Sequence, residues 1–280
     1  MGKHDIRHFS DRVERAAMRV LKRAWHRVGP SQQRQHVFIA GMQRSGTNMV
    51  MEVLDRSFHT DVYHETDPRA FERYEMRPRE HIQALATRSD APNFVIKALC
   101  ELDQVKVLLD TFAPAKSVWI VRDFNDSVNS AIVSFGHFAD RMARMCESRL
   151  SDGWYGRGMS DATHTLLCQT YHAEISEASA AAMMWYYRNV LFFEQQLEAD
   201  PRALLVKYEA LVTQPEQAFP RIFRFLDIPY APWLSRHVFA SSVRRKPAPL
   251  IDPPIAALCE ALAQRFEQVQ MAQPKQEGAQ

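Results

Sequence analysis

The sequence predicts an α/β fold with three layers, in which helices cover both faces of a parallel sheet. Four short apolar runs, rich in β-branched residues, occur at wide intervals, and helical apolar patterns separate them. The runs lack strict polar–apolar alternation, which is typical of strands buried on both faces. The expected strands are His36–Ala40, Phe94–Lys97, Ser117–Val121 and Ala203–Val206, with a shorter one at Asp61–Tyr63.

The composition indicates a folded globular protein. Hydrophobic residues make up 46% of the 280 residues, which excludes wholesale disorder and suits one large α/β domain. The net charge of +2 is too close to balance to indicate nucleic acid as a partner. The four cysteines are scattered without a C-x-x-C pair, so we expect free thiols in a reducing compartment rather than a zinc site or a disulfide framework.

Residues 1–35 are predicted to contain a basic amphipathic helix, at 5–28. Apolar residues recur there at helical spacing, and seven Arg or Lys residues, including Lys22, lie on the opposite face. Such a helix can lie on an anionic membrane surface, or it can pack its apolar stripe against its own domain. No apolar signal core or membrane-spanning run is visible, so we expect a cytoplasmic protein, with peripheral membrane contact as an option.

The main domain is expected at 36–271, followed by a polar, disordered tail at 272–280. Within the domain, the apolar pattern weakens over 135–172, where Ser148–Asp161 is rich in Gly and Ser. We interpret this segment as a loop or lid. A long helix is expected after it, at Glu177–Leu197.

The stretch Gly41–Asn48, GMQRSGTN, has the outline of a phosphate-binding loop between a strand and a helix. Glycines at its two ends, Gly41 and Gly46, allow a turn that aims several backbone N–H groups at one anion, and the following helix adds its positive end. These two contributions define an anion site without any lysine. The sequence G-x-x-x-x-G is a weak signal by itself, but its place between an apolar strand and an amphipathic helix strengthens it.

The usual phosphate-binding motif is G-x-x-x-x-G-K-[ST], in which the Ser or Thr hydroxyl binds Mg²⁺. Here Thr47 and Asn48 stand in place of its lysine and its hydroxyl residue. Arg44 can supply the positive charge, and Ser45 can join Thr47 and Asn48 as a further donor. Without a magnesium ligand, we interpret the loop as a site for an anionic group that is transferred without metal. A sulfuryl group fits, since it carries less charge than a terminal phosphoryl group.

A second anion-binding motif is predicted in Ser117–Ile132, SVWIVRDFNDSVNSAI. Its strand ends at Arg122, Asn125 or Asp126 can cap a new helix, and Ser130 lies within that helix. An arginine at the end of a strand and a serine on the next helix can bind one phosphate together. The carboxyl ends of strands are also where open α/β sheets bind ligands. The alternative is a surface arginine beside a helix cap.

Together the two motifs resemble the sulfotransferase family that uses 3′-phosphoadenosine 5′-phosphosulfate (PAPS), which implies a sheet with P-loop NTPase-like topology. QRSGTN resembles the family's 5′-phosphosulfate loop, and RDFNDSVNS resembles its 3′-phosphate motif R-x-P-x-D-x-x-x-S, with Phe124 in place of the proline. Ala203–Tyr230 is similar to the family's late strand–loop–helix unit. The resemblance implies that Gly41 and Arg44–Asn48 bind the 5′-phosphosulfate, and that Arg122 and Ser130 bind the 3′-phosphate.

The resemblance also bears on the general base. The histidine that the cytosolic branch places after "IK" is absent, since VIKALCELD has Ala98 and Leu99 there. Carbohydrate and bacterial branches are similar in placing a glutamate beyond the loop helix, and Glu65 in DVYHETDPRAF matches that place. His64, next to it, is the alternative base, and a polar loop without catalytic function is the second alternative.

Two further cationic groups are candidates for the donor site. Arg244 and Arg245, in SSVRRKPAPL, match a basic loop that the family closes over the 3′-phosphate, although a solvated basic turn is an equal alternative. Lys97, at the end of a strand, can stabilise the bridging oxygen of the leaving phosphate or can extend along the surface into water.

The resulting prediction is a sulfotransferase that moves a sulfuryl group from PAPS to a hydroxyl or amine, with no metal. The segments 63–79 and 135–172 are expected to line the acceptor pocket. Their aromatic, Arg and His side chains favour a carbohydrate, a glycolipid or another polar metabolite. The alternatives are a domain that binds the nucleotide without catalysis, and a kinase-like enzyme with a degenerate loop.

Overall fold

The computed structural model of the chain describes residues 21, 22, 25, 34–238 and 246–273. Seven strands lie in this part of the chain: β1 Gln35–Ala40, β2 Thr60–Tyr63, β3 Phe71–Glu72, β4 Glu75–Met76, β5 Asn93–Ala98, β6 Ala115–Val121 and β7 Ala203–Lys207. The α-helices of the same part are α1 Thr47–Asp55, α2 Arg79–Arg88, α3 Val105–Thr111, α4 Phe124–Ser134, α5 Phe138–Glu147, α6 Asp161–Thr170, α7 Glu177–Glu194, α8 Tyr208–Thr213, α9 Pro215–Phe225 and α10 Pro253–Ala272.

The predicted parallel sheet is confirmed, and all five predicted strands belong to it. Its order is β2-β5-β1-β6-β7, and every neighbouring pair is parallel. In the register, Ala40 of β1 lies opposite Ala98 of β5 and Trp119 of β6. The carboxyl ends of the strands therefore meet at one edge, where the two predicted anion-binding motifs begin.

The sheet separates two apolar cores, so that the fold has the three predicted layers. Phe38 of β1 belongs to the larger core, which includes the buried side of α7, while Val37 and Ile39 belong to the smaller core under α1 and α9. Both sets are fully buried. Apolar residues are thus needed on both faces of β1, which explains why its sequence does not alternate.

Helix α7 confirms the long helix predicted before the last strand, but it ends three residues earlier. Its predicted core residues are all buried. The helix ends because Gln196 adopts the left-handed region, with φ of 56°. The buried residues that the sequence predicts are Met183, Met184, Tyr187, Val190, Leu191 and Phe193.

The cap predicted for α4 is wrong by two or three positions. Asp123, rather than Asn125 or Asp126, is the N-cap, and its side chain accepts a hydrogen bond from the backbone N–H of Asp126 at 3.0 Å. The helix begins directly after the strand, at Phe124. This short junction holds Arg122 at the sheet edge.

The segment 135–172, for which the sequence predicts a loop or lid, contains the two helices α5 and α6. Phe138, Met142 and Met145 form a buried stripe along α5 at helical spacing. The irregular part is limited to 148–160, which includes a short 3-10 helix at Gly153–Tyr155. A two-stranded hairpin, β3–β4, is a further element that the sequence does not predict.

Most of the predicted N-terminal helix, 5–28, lies outside the described residues, as does 274–280. Lys22, predicted on the polar face, is buried, and its Nζ donates a hydrogen bond to the backbone oxygen of Asp55 at 2.8 Å. Trp25 packs edge-on against His59, with ring centroids 4.9 Å apart. At these residues the chain packs against its own domain, and membrane contact stays a prediction. None of the described helices is both long and apolar enough to cross a membrane.

Candidate active site

The loop between β1 and α1 requires glycine at both ends. Gly46 has φ of 99°, and a Cβ there would lie 2.3 Å from Cδ2 of Tyr208. Gly41 has φ of 149°, and a Cβ there would lie 2.6 Å from the backbone oxygen of Ile120. Any larger residue would strain the backbone and collide with β6 or α8. The loop is therefore held tightly against the carboxyl edge of the sheet.

Several donors of this loop are free to bind an anion. Gly46, at the N-cap of α1, has no side chain with which to cap the first backbone N–H groups of the helix. The hydroxyl of Ser45 is buried and has no hydrogen-bond partner among the described residues. An anion in the loop would satisfy this hydroxyl, which otherwise carries the free-energy cost of an unpaired buried group.

The two predicted anion-binding motifs meet at Arg44. Its Nε donates a hydrogen bond to Oγ of Ser130, in α4, at 2.9 Å. Arg122, directly after β6, donates from Nη1 to the backbone oxygen of Arg44 at 3.1 Å. These contacts join segments 78 and 86 positions apart in the chain. Three side chains with anion-binding chemistry therefore lie at one edge of the sheet.

Arg122 is held from several sides. It is buried, with 8% of its surface exposed, and its guanidinium lies 4.6 Å from the ring centre of Tyr208. Asp126, one turn into α4, is 3.9 Å away as an ion-pair partner. The indole N–H of Trp185 donates to the backbone oxygen of Arg122 at 3.0 Å. The arginine is thus positioned before any ligand binds, which lowers the entropic cost of binding one.

A buried lysine connects the loop to the predicted base. Nζ of Lys97 lies 2.5 Å from Oδ1 of Asn48 and 2.5 Å from Oε1 of Glu65. Lys97 is 2% exposed, so the interpretation of it as a surface lysine is wrong. It points inward because β5 is a central strand, covered on both faces. Burial lowers the pKa of Lys97, and the nearby carboxylate of Glu65 opposes that effect.

The strand register explains how Glu65 reaches this lysine. Tyr63, the last residue of β2, lies opposite Ile96 of β5, so the residues that follow each strand are neighbours. Glu65 is the carboxylate that pairs with Lys97, whereas His64, half-buried beside it, is not part of that pair. Of the two predicted bases, the structure connects Glu65 to the loop.

The two segments predicted to line the acceptor pocket both attach to the residues that follow Lys97. From the irregular segment 148–160, Arg157 donates to the backbone oxygen of Cys100 at 2.9 Å and pairs with Asp103 at 3.2 Å and Glu75 at 3.1 Å. From the hairpin, the backbone N–H of Met76 donates to Glu101 at 2.8 Å. We call Glu75, Glu101, Asp103 and Arg157 the clamp.

Two buried charged residues, one within the clamp and one beside it, were not expected from the sequence. Glu101 is 6% exposed, and burial raises its pKa to about 7. Arg188, in α7, is fully buried and donates to the backbone oxygen of Leu99 at 2.9 Å, with its guanidinium 5.1 Å from the ring centre of Trp154. A charged residue within the largely apolar stretch 180–193 is a signal that could have indicated Arg188.

The remaining predicted site residues lie beyond what the structure describes. Arg244 and Arg245 are outside the described residues. The nearby Pro247 lies beside α4, since its backbone oxygen accepts a hydrogen bond from Asn129 at 2.9 Å.

A cavity of about 590 Å³ lies at the amino end of β7, opposite the edge of the sheet that carries the candidate site. It is lined by residues such as Pro201 and Arg221 and by none of the predicted site residues.

Within the described ranges, no group of three or more His, Cys, Asp or Glu side chains is arranged to hold a metal ion.

Comparison with known proteins gives one family. The model of the sulfotransferase domain family matches residues 34–243, about three quarters of the chain. That range contains both predicted anion-binding motifs, Glu65 and Lys97. No curated protein matches the chain in sequence.

Several solved structures are similar to this chain. A sulfotransferase domain from the curacin biosynthetic pathway is 16% identical with a TM-score of 0.49, covering 87% of this chain and 94% of that one. The sulfotransferase domain of the Synechococcus PCC 7002 olefin synthase is 14% identical with a TM-score of 0.48, covering 84% and 96%. A sulfotransferase from Alicyclobacillus acidocaldarius is 16% identical with a TM-score of 0.45, covering 84% and 92%.

Proposed function

This chain belongs to the sulfotransferase domain family, and we propose that it transfers a sulfuryl group from PAPS to a hydroxyl or amine of a polar acceptor. The observation that most supports PAPS as the donor is the meeting of the two anion-binding motifs. Arg44 bonds to Ser130 at 2.9 Å, and Arg122 bonds to the backbone of Arg44 at 3.1 Å. PAPS carries anionic groups at two positions, and these two motifs offer it two adjacent anion sites.

The loop suits the phosphosulfate end of the donor. Its unpaired Ser45 hydroxyl and the first backbone N–H groups of α1 are donors that need no rearrangement before binding. Arg44 adds a positive charge. These groups would neutralise the charge that grows on the transferred group and on the leaving phosphate, which is the main way in which such sites lower a reaction barrier.

The second motif suits the 3′-phosphate. Arg122 is rigidly held, and Ser130 lies one hydrogen bond from Arg44. The planar guanidinium can make two parallel hydrogen bonds to a phosphate, which gives both affinity and orientation. Arg244 and Arg245 are proposed to close over this phosphate from the segment beside α4.

Glu65 is the proposed general base, with His64 as the alternative. Its carboxylate would accept the proton that the acceptor loses as it attacks sulfur. Lys97 pairs with Glu65 on one side and with Asn48 of the loop on the other. When the proton arrives on Glu65, the ion pair with Lys97 weakens, and the ammonium group can then stabilise the negative charge that develops on the donor side. Proton removal and charge stabilisation would thus be coupled through one buried cation.

The acceptor is proposed to be a carbohydrate, a glycolipid or another polar metabolite. The hairpin and the segment 148–160 both attach to the residues after β5, which carries Lys97 near its end. They therefore border the side of the site where Glu65 lies. Both segments contain charged and aromatic side chains, which suit hydrogen bonding to hydroxyl groups better than they suit a flat apolar ring system.

Transfer of labelled sulfate from PAPS tests this proposal. The full chain is incubated with a panel of saccharide, glycolipid and small hydroxyl acceptors in the presence of a chelator. We expect label in at least one polar acceptor, and a loss of about 10²- to 10⁴-fold in turnover for Glu65→Gln, which keeps the size of the side chain but not its basicity. Binding of 3′-phosphoadenosine 5′-phosphate should be nearly unchanged in that variant.

The controls separate the possible failures. His64→Gln should keep most of the activity, and a larger loss for His64→Gln than for Glu65→Gln would reverse the assignment of the base. Nucleotide binding without transfer to any acceptor would favour a domain that binds the donor without catalysis. Turnover of ATP that depends strictly on Mg²⁺ would favour the kinase-like alternative instead.

A further inference from the structure

Two of the four cysteines lie side by side, although they are 22 positions apart. Cys146 is in the last turn of α5, and Cys168 is in α6. The thiol of Cys168 donates a hydrogen bond to the backbone oxygen of Cys146 at 3.7 Å, which places the two cysteines in contact. Both residues are half-buried, whereas Cys100 and Cys259 are buried. This pair is therefore the one that a small molecule can reach.

A histidine accompanies the pair. Nε2 of His164, one turn before Cys168 on α6, lies 3.5 Å from the sulfur of Cys168 and 3.0 Å from the backbone oxygen of Met145. Because a carbonyl oxygen only accepts, the contact with Met145 requires the hydrogen on Nε2, and that N–H can also donate to the sulfur of Cys168, which stabilises its thiolate. The pKa of the Cys146 thiol is raised to about 12 by burial and by the neighbouring Cys168. Cys168 is thus suited to react first, since the thiolate is the nucleophile.

We propose that Cys146 and Cys168 are a modification site, at which a small-molecule disulfide reversibly oxidises them to a disulfide between α5 and α6. The sulfur of Cys168 attacks one sulfur of the small disulfide, which forms a mixed disulfide and releases one small thiol that takes up the proton of Cys168. The sulfur of Cys146 then attacks the sulfur of Cys168, and the second small thiol leaves with the proton of Cys146. Two protein thiols are oxidised, and one small disulfide is reduced to two thiols.

The bond would restrain one part of the molecule in particular. The disulfide would close residues 146–168 into a ring. That ring includes the irregular segment 148–160, which carries Trp154 and the clamp residue Arg157. In the reduced protein this segment is fastened through side-chain contacts such as the one from Arg157 to Cys100. A covalent link at its base removes conformations in which α5 and α6 separate. Half-exposed disulfides of this kind are typically reversible rather than structural.

Peptide mapping tests the proposal directly. The full chain is reduced, incubated with oxidised glutathione, blocked with an alkylating reagent and digested with trypsin without reductant. We expect the peptides 145–149 and 158–188 to be linked, with a combined mass lower by about 2 Da than the sum of the two free thiol peptides. Dithiothreitol should separate them. In Cys146→Ser, Cys168 should instead accumulate as a mixed disulfide with glutathione, and the matched variant Cys259→Ser should behave like the wild type.

Two results would overturn the proposal. One is wild-type protein in which Cys146 and Cys168 remain free or each carry glutathione. The other is a link from either of them to Cys100 or Cys259. Amide hydrogen exchange tests the restraint separately: oxidation should slow exchange in 148–160 several-fold in the wild type and leave it unchanged in Cys146→Ser. Linked peptides with unaltered exchange would contradict the restraint. Neither readout depends on the transfer reaction.

Discussion

The two sides of the site for which we propose donor binding and acceptor binding, called the donor side and the acceptor side, are built in different ways. On the donor side, each anion-binding motif is a short strand–turn–helix junction, and its residues lie within ten positions of one another. On the acceptor side, the clamp joins residues from the hairpin, from the segment after β5 and from the segment 148–160. Local backbone geometry therefore positions the residues of the donor side, whereas long-range ion pairs position the segments of the acceptor side.

The two sides also differ in how charge is held. On the donor side, Arg44 is placed by its hydrogen bond to Ser130, and Arg122 is placed by the ring of Tyr208 and by the carboxylate of Asp126 at 3.9 Å. On the acceptor side, Arg157 is surrounded by the carboxylates of Glu75, Glu101 and Asp103. One arrangement suits binding of an anion, and the other suits attachment of a segment. Lys97 lies between them and contacts both the loop and Glu65.

The largest effect is expected for Lys97→Met, which removes the charge at the junction of the two sides and keeps an unbranched side chain. We expect turnover to fall by about 10²- to 10³-fold, because the stabilisation of charge in the transition state is lost. Steady-state transfer from PAPS measures it, and Lys106→Met, at an exposed ion pair on α3, is the matched control. Turnover within about threefold of wild type, with a circular dichroism spectrum like that of wild type, would show that Lys97 only fills space.

A smaller effect, on stability, is expected for Glu101→Gln on the acceptor side. Burial raises the pKa of Glu101 from 4.5 to about 7, so the folded state holds the proton more tightly than the unfolded state. Its contribution to stability is fully present below about pH 4.5 and is lost as the pH rises through 7. Relative to wild type, the variant should gain about 1–3 kcal/mol in free energy of unfolding between pH 4.5 and pH 8.

Urea unfolding at several pH values measures this difference. Glu80→Gln, at an exposed position in the first turn of α2, is the control and should show no comparable change with pH. A difference for Glu101→Gln that stays constant from pH 4.5 to 8 would mean that the buried carboxylate is ionised throughout. The clamp would then be a fully charged cluster rather than one that shares a proton.

The smallest effect is expected for Ser130→Ala on the donor side. We expect the affinity for 3′-phosphoadenosine 5′-phosphate to fall by about 2- to 12-fold, which corresponds to the net contribution of one hydrogen bond, about 0.5–1.5 kcal/mol. Calorimetric titration measures it. Ser134→Ala, one turn further along the same helix, is the matched control, because that hydroxyl bonds to the backbone oxygen of Ser130 and not to Arg44. Equal losses in both variants would assign the effect to the helix rather than to the Ser130 hydroxyl.

The sequence predicts the donor side of this molecule better than the acceptor side. The strands, α7 and the place of the loop between a strand and a helix are confirmed because apolar patterns and glycine positions are local signals. The carboxyl ends of β1 and β6 are neighbours in any such sheet, so the meeting of Arg44 with Arg122 follows from the order of the strands. The cap of α4 was misplaced because three candidate cap residues follow Arg122 within four positions, and only the geometry of the junction selects Asp123.

The structure of the acceptor side is harder to predict from the sequence, because its contacts join residues that are distant in the chain. Arg157 and Glu75 are 82 positions apart, and nothing in the sequence around either residue indicates the other. The pairing of Cys146 with Cys168 depends on how α5 packs against α6, and α5 itself was not predicted. The sequence predicts Lys97 as a candidate site residue, but it does not predict that Lys97 is buried. The burial depends on the position of β5 between β2 and β1 in the sheet, and the sequence of β5 does not indicate that position.

The central claim is that two anion-binding motifs form one donor site, and metal-free calorimetric titration with 3′-phosphoadenosine 5′-phosphate tests it most directly. The proteins are the wild type, Arg122→Ala and the control Arg88→Ala, an exposed arginine in the last turn of α2. We predict binding by the wild type and by Arg88→Ala, and affinity at least about 20-fold weaker in Arg122→Ala, with all three proteins folded. No binding by the wild type, or equal affinity in all three, would contradict the account.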